Sequence, residues 1–143
     1  MKKKNKILIV SARYYADLMN KMEADAKLIL EKNDDLISEY SFFEVPGVFE
    51  IPVVLSKFIN KFDGFITLGC VIKGETPHFD FISTATTDAI MKISIDNKKP
   101  VGNGILTCLN KEQAKIRSKL KGTEAAEAVI SVLGNLPIKE YSR

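Results

Sequence analysis

The chain has a single histidine, and the residues around it are of the kind that handle a charged ligand. His78 follows Lys73-Gly74-Glu75-Thr76-Pro77 and precedes Phe79-Asp80-Phe81. Thr76 and Pro77 read as an N-cap and a first helical residue. A hydroxyl can satisfy a free helix N–H, and proline has no N–H to lose. Gly74 supplies the turn before them. The N–H groups of Glu75, Thr76 and the first helical turn would then face one point, and such a nest holds an anion such as phosphate. Lys73 adds positive charge nearby. In that first turn the positive end of the helix dipole favours a neutral imidazole. A neutral ring beside a phosphate can take and give protons near pH 7. Lone histidines more often serve at surfaces or helix caps. The place of His78 beside an anion nest points instead to catalysis.

Other stretches carry candidate groups. In Val45-Pro46-Gly47-Val48-Phe49-Glu50-Ile51-Pro52, the second proline puts a helix start at Glu50 or Ile51. Residues 46–49 are then a tight loop that can turn main-chain groups toward a ligand, with Gly47 free to take unusual dihedrals. Glu50 is either a ligand contact or a charge capping the helix. The aromatics of Ser11-Ala12-Arg13-Tyr14-Tyr15 either stack on a planar ring or pack on the next helix. Gly102-Asn103-Gly104 reads as close backbone approach within a sheet. Arg117, Lys119, Lys121 and Gly122 form either a phosphate-binding cluster or a solvated basic turn.

The elements that position these groups show in the hydrophobic pattern. Apolar runs of strand length at residues 7–10, 37–45, 65–72 and 101–108 alternate with segments of helical period at 17–32, 51–61, 79–95, 111–120 and 123–133. Asp17 is a candidate N-cap for the first helix, and Lys121-Gly122 separates the last two. Continuous apolar strands alternating with helices predict a parallel sheet covered on both faces. Ligands of such sheets bind beyond the carboxyl ends of the strands, where the candidate residues fall.

Composition narrows the classes. At ~150 residues per domain, the 143 residues make one domain, with residues 1–6 as a flexible basic tail. One histidine excludes a multi-histidine zinc site within one chain, and Cys70 and Cys108 form no C-x-x-C pair. No metal site is expected. Each cysteine ends an apolar run, as buried reduced thiols do, which fits the cytoplasm. A net charge of +3 without interleaved basic and aromatic residues gives no nucleic-acid signature. No apolar run is long enough to span a membrane, and the first is too short for a signal peptide. The first strand is followed by no Gly-x-Gly, so no dinucleotide fingerprint is present.

Taken together, Pro46-Gly47-Val48-Phe49-Glu50-Ile51-Pro52, Gly69-Cys70-Val71-Ile72-Lys73-Gly74-Glu75-Thr76-Pro77-His78-Phe79-Asp80-Phe81, Gly104-Ile105-Leu106-Thr107 with Glu112-Gln113-Ala114, and Lys121-Gly122 with Glu124-Ala125-Ala126 resemble the lumazine synthase family. The likeness keeps the family's order and spacing from about residue 7 to residue 133. It implies a flavodoxin-like fold, a three-layer α/β/α sandwich on a four-stranded parallel sheet, assembled in rings of five. It also implies the penultimate step of riboflavin biosynthesis. There, 5-amino-6-(D-ribitylamino)uracil and 3,4-dihydroxy-2-butanone 4-phosphate condense to 6,7-dimethyl-8-ribityllumazine, releasing phosphate and water. The family uses no metal or organic cofactor. A non-catalytic flavin- or lumazine-binding scaffold, or a shell-forming protein, is the alternative on the same fold.

The resemblance also implies roles. Tyr14 takes the place of the aromatic that stacks on the pyrimidine. Val48, Phe49 and Glu50 match the loop holding the pyrimidine and ribityl chain. Cys70, Val71 and Ile72 match the strand end that contacts the uracil, largely through main chain. Glu75 and Thr76 match the phosphate nest, His78 the proton-transfer residue, and Arg117 the phosphate-binding arginine. Asn103 matches a pocket position. In the family, Asn103 and Arg117 would reach the site from a neighbouring subunit. Many relatives carry phenylalanine in place of Tyr14 and Asn103, and arginine in place of Lys73. Only Ser118-Lys119-Leu120 separate Arg117 from Lys121-Gly122. That short connection favours a pentamer, or a pair of pentamers, over a shell of sixty subunits.

Overall fold

A computed structural model describes residues 4–134 and 138–142. Its first strand, β1 (Asn5–Ala12), is buried almost throughout because it lies inside the sheet, between two strands and two helical layers. The chain continues through a 3-10 turn (Arg13–Tyr15), α1 (Ala16–Lys32), β2 (Ile37–Val45), a second 3-10 turn (Val48–Glu50) and α2 (Ile51–Phe58). Then come β3 (Gly64–Ile72), α3 (His78–Asn97), β4 (Val101–Cys108) and α4 (Lys111–Leu133). All strand pairs are parallel, in the order β2-β1-β3-β4. β2, at the sheet edge, is accordingly exposed along much of its length.

Two apolar clusters flank the sheet. On one face Met19, Met22 and Leu30 of α1 meet Ala114, Ala126 and Val129 of α4 over Ile7, Ile9 and Ile66. On the other face Ile51, Val54 and Leu55 of α2 and Ile90 of α3 cover Leu8, Val10 and Phe65. The fold is the expected three-layer α/β/α sandwich, with flavodoxin-like strand order. Because α1 and α3 cover opposite faces, the chains leaving β1 and β3 diverge at the top of the sheet. That divergence opens a crevice between them.

Several boundaries differ from the sequence reading. β1 takes in Asn5 and Lys6, both expected in the flexible tail. The Lys6 N–H donates to Asp63 Oδ2 at 2.8 Å, and the Asp63 N–H donates to the Lys6 carbonyl at 2.8 Å. The rest of that tail, residues 1–3, lies outside the described residues. Asp17 is not the N-cap of α1. The 3-10 turn runs straight into the helix, so Tyr15 holds the cap position and Asp17 stands in the first turn. α2 ends at Phe58, three residues early, where the Lys61 N–H closes a turn on the Phe58 carbonyl at 2.9 Å.

The two helices expected on either side of Lys121-Gly122 are one helix of 23 residues. Gly122 does not break it. A Cβ at Gly122 would lie 2.3 Å from the Met22 carbonyl oxygen of α1, so the glycine is there to let two helix backbones approach. Gly102 serves α4 in the same way, since its Cβ would lie 2.1 Å from the Ala125 carbonyl oxygen. That agrees with the close approach read from Gly102-Asn103-Gly104. The start of α4 is capped reciprocally. Asn110 Oδ1 accepts from the Gln113 N–H at 2.8 Å, and Gln113 Oε1 accepts from the Leu109 N–H at 2.9 Å.

Gly122→Ala should therefore lower unfolding stability by about 1–3 kcal/mol, the usual cost of overpacking. Gly74→Ala, where nothing lies within 4 Å of the new methyl group, should stay within about 0.5 kcal/mol. Urea denaturation of both variants checks the contrast, and equal effects would contradict the close-packing account.

Candidate active site

A cavity of about 650 Å³ occupies the crevice between β1 and β3. Its walls come from three strand ends. Ala12 ends β1 and Tyr14 and Tyr15 follow it, Gly47, Val48 and Phe49 follow β2, and Cys70, Val71 and Ile72 close β3. His78 and Ile82, one turn apart on α3, complete it. Tyr14 is 77% exposed and stands edge-to-face on Tyr15, with ring centroids 4.9 Å apart. It presents a free aromatic surface to the cavity. Of the two readings of this pair, packing on α1 describes neither side chain fully, because both line the cavity.

The loop after β2 is shaped by Glu50. The Gly47 N–H donates to Glu50 Oε1 at 3.0 Å, and the Glu50 N–H donates to the Gly47 carbonyl at 3.2 Å. Gly47 itself is extended (φ −142°, ψ 174°), so the special dihedrals expected there are not used. Glu50 thus fixes its own loop. It lines an adjoining groove with Phe49, Val53, Ala85 and Thr86 instead of the main cavity.

At the start of α3, Pro77 takes the cap position and His78 becomes the first helical residue. Thr76 was expected as the cap, but its hydroxyl makes no capping bond. The Pro77 carbonyl does the work instead, accepting from the N–H groups of Asp80 (3.1 Å) and Phe81 (3.3 Å). Among the described residues, the N–H groups of Glu75, Thr76, His78 and Phe79 donate to no group of the chain. Four donors are therefore left for a ligand beside the exposed His78 ring.

Two predicted residues stand apart. Asn103 lies on β4 in a small groove with Ile90, Met91 and Ser94, and its Oδ1 accepts from the Ile105 N–H at 3.0 Å. Arg117 lies on α4 in a cavity with Thr107, Leu120, Lys121 and Glu124. Glu75 and Thr76 sit on the exposed loop between β3 and α3. Sequence reasoning left out Ala12 and Ile82. The spacing of Ile82, four residues beyond His78, puts it on the same helix face and could have revealed it. Ala12 carried no such signal.

Burial governs the thiols. It pushes the Cys70 thiol up to about 12, with Cys108 adding to the effect. Cys108 is also raised by burial, against the pull of Arg117 and Lys121, which places both cations near the end of β4. Burial, then Cys70 and Tyr14, raises the Tyr15 phenol. No group of three or more His, Cys, Asp or Glu among the described residues is arranged to hold a metal ion.

Strand order and crevice define a flavodoxin-like α/β protein with a candidate ligand site at the β1/β3 switch point. A family model described as 6,7-dimethyl-8-ribityllumazine synthase matches residues 4–136, and the chain belongs to that family. Similar proteins carry the same name. One from Agrobacterium fabrum is 38% identical over 138 residues, covering 89% of this chain and 91% of the relative. Another, from Methylorubrum populi, is 37% identical over 139 residues, covering 90% and 80%. A third, from Bdellovibrio bacteriovorus, is 37% identical over 136 residues, covering 92% and 75%.

A thiol with a pKa of about 12 is thiolate in only about one molecule in 10⁴ at pH 8. Maleimide should therefore label Cys70 at pH 8 at least about 10²-fold more slowly in the folded protein than in urea. Peptide mapping after labelling reads this directly. Rapid labelling of the folded chain at Cys70 would contradict it.

Proposed function

We propose that the chain is a 6,7-dimethyl-8-ribityllumazine synthase, a transferase of riboflavin biosynthesis. It condenses 5-amino-6-(D-ribitylamino)uracil with 3,4-dihydroxy-2-butanone 4-phosphate and releases phosphate and water. The observation that carries this reading is one cavity joining an exposed aromatic, a strand-end main chain and the only histidine. Family membership points the same way. The scaffold alternative is not favoured.

In this reading Tyr14 stacks on the pyrimidine, and the main chain at Val48, Phe49, Cys70, Val71 and Ile72 meets its edge. Glu50 keeps one carboxylate oxygen on the Gly47 N–H, which leaves the other for a ribityl hydroxyl. Glu75 and Thr76 offer N–H groups to the phosphate, and Arg117 supplies the balancing charge. The amine of the uracil attacks the ketone, and loss of water gives a Schiff base. Phosphate is then eliminated, and the second amine closes the ring with loss of water. Holding both substrates in one geometry supplies much of the acceleration. Phosphate gripped by N–H groups and a guanidinium leaves more readily. His78 moves protons at the Schiff base and the elimination.

The proposed assembly is a homopentamer, singly or paired. Asn103 and Arg117 line grooves separate from the His78 cavity, and in the proposed ring a neighbouring copy brings them to it. Apolar side chains left exposed on three helices support an interface: Val53 of α2, Phe81, Met91 and Ile95 of α3, and Leu120 of α4. No described helix is long and apolar enough to cross a membrane. Two buried free cysteines fit a reducing cytoplasm.

Mixing the protein with the two substrates should speed the appearance of lumazine fluorescence and free phosphate above the spontaneous rate. No acceleration at any protein concentration would end the enzyme reading. His78→Ala should lower kcat on the order of 10²-fold while binding of the lumazine product changes little. Equal loss of both would make His78 structural. Native mass measurement tests the assembly, and a particle near sixty subunits would overturn the pentamer.

A further inference from the structure

The 3-10 turn that carries Tyr14 is anchored to the core through Tyr15 but has no side-chain cap. Ala12 at its head and Tyr15 at the head of α1 make no side-chain capping bond. Tyr14 is too exposed for core packing to set its position. The residue beside it is held firmly. The Arg13 guanidinium pairs through Nη1 with Glu23 of α1 and donates through Nη2 to Asn20 Oδ1 at 2.7 Å. Its Nε lies 3.9 Å from Glu44 Oε1, at the end of β2. The Arg13 and Glu23 side chains are only 25% and 17% exposed, so both partners of this pair are largely buried, unlike those of the solvated pair Lys6–Glu39.

One guanidinium therefore touches α1 and the strand end that leads into the loop of Val48 and Phe49. Its own backbone carries the Tyr14–Tyr15 wall. Glu44 and Val45 pair in register with Ser11 and Ala12, so the two loops spring from neighbouring positions. The strand ladder and the packing of Ala12 with Val45 and Val48 fix the bases of the two walls, and the Arg13 fork is the side-chain tie between them beyond the strand ends. We propose that Arg13, braced on Glu23, Asn20 and Glu44, is a positioning residue for the pyrimidine substrate, setting the Tyr14 ring at stacking distance from the Val48–Phe49 wall. The inference rests on the functional reading above and adds a residue to it. Arg13 does not line the cavity and acts only through Tyr14 and the facing loop.

The test is steady-state kinetics with each substrate varied in turn. Arg13→Met keeps the apolar stem and removes the fork. It should raise KM for the ribitylamino-uracil about 10-fold, leaving kcat and KM for the butanone phosphate within about twofold. That pattern marks lost binding of one substrate and not lost catalysis. Arg13→Lys, with charge but no planar fork, should recover only part of the loss. The dissociation constant of 6,7-dimethyl-8-ribityllumazine should rise in parallel with KM for the pyrimidine. Should Arg13→Met fail to fold, the double variant Asn20→Ala/Glu44→Gln, on exposed or partly exposed side chains, should give a smaller shift in the same direction. An unchanged pyrimidine KM in a folded variant overturns the assignment. So does an equal loss in both KM values and kcat, which would mark general damage. A wild type that forms no lumazine at all sinks the functional reading instead, so the two failures are distinguishable.

Discussion

Two adjacent parallel strands whose chains must leave toward opposite faces of the sheet cannot close the space between their ends. β1 turns to α1 on one face and β3 to α3 on the other, and everything at the site follows from that divergence. The strand ends expose main-chain groups that no further ladder uses, and helices begin with unpaired N–H groups. A crevice lined in this way suits a flat, hydrogen-bonding ring joined to an anion. The apolar wall comes from Tyr14, Phe49 and Ile82, and the donors come from the start of α3. The loop of β2 reaches the same crevice because β2 is the parallel neighbour of β1.

A second constraint acts from below. Gly102 and Gly104 on β4 and Gly122 on α4 remove the methyl groups that would hold α4 away from the sheet and from α1. The helix then runs unbroken for 23 residues. Continuity has a chemical result. Arg117 and Lys121 are four residues apart on one helix, so both project from one face near Cys108. A break at Lys121-Gly122 would have aimed them independently. The short connection between them thus concentrates positive charge instead of displacing it.

Much of this was legible beforehand. β2 and β4 fall on the boundaries read from the sequence, although β4 is buried along most of its length and β2 is an exposed edge strand. Most residues of the main cavity were also legible, since Tyr14, Phe49 and His78 follow strands in the pattern and Cys70 stands near the end of one. What misled were residues with two physical uses. Gly122 looks like a helix stop, yet glycine equally permits close approach, and only the partner backbone of Met22 decides between them. Thr76 has the right type and spacing for a cap, yet the Pro77 carbonyl takes that duty. Arg13 has no motif of its own. Its significance depends on Glu23 and Glu44, ten residues along and at the end of another strand.

His78 begins the helix with the weakest attachment to the core. Of the 20 residues of α3, only Thr86 and Ile90 are buried, and the hydroxyls of Ser83 and Thr86 are sequestered without a partner. Phe81, Met91 and Ile95 meanwhile face outward. A helix held so lightly is a poor platform for a proton-transfer group, whose reach is a matter of tenths of an ångström. In the proposed ring, covering that outer face would bury apolar surface and restrain the helix in one step. The same neighbour would carry Arg117 and Asn103 into the crevice. Assembly would then fix the position of the base and supply the missing charge together, so activity should depend on the ring more steeply than binding of the pyrimidine alone.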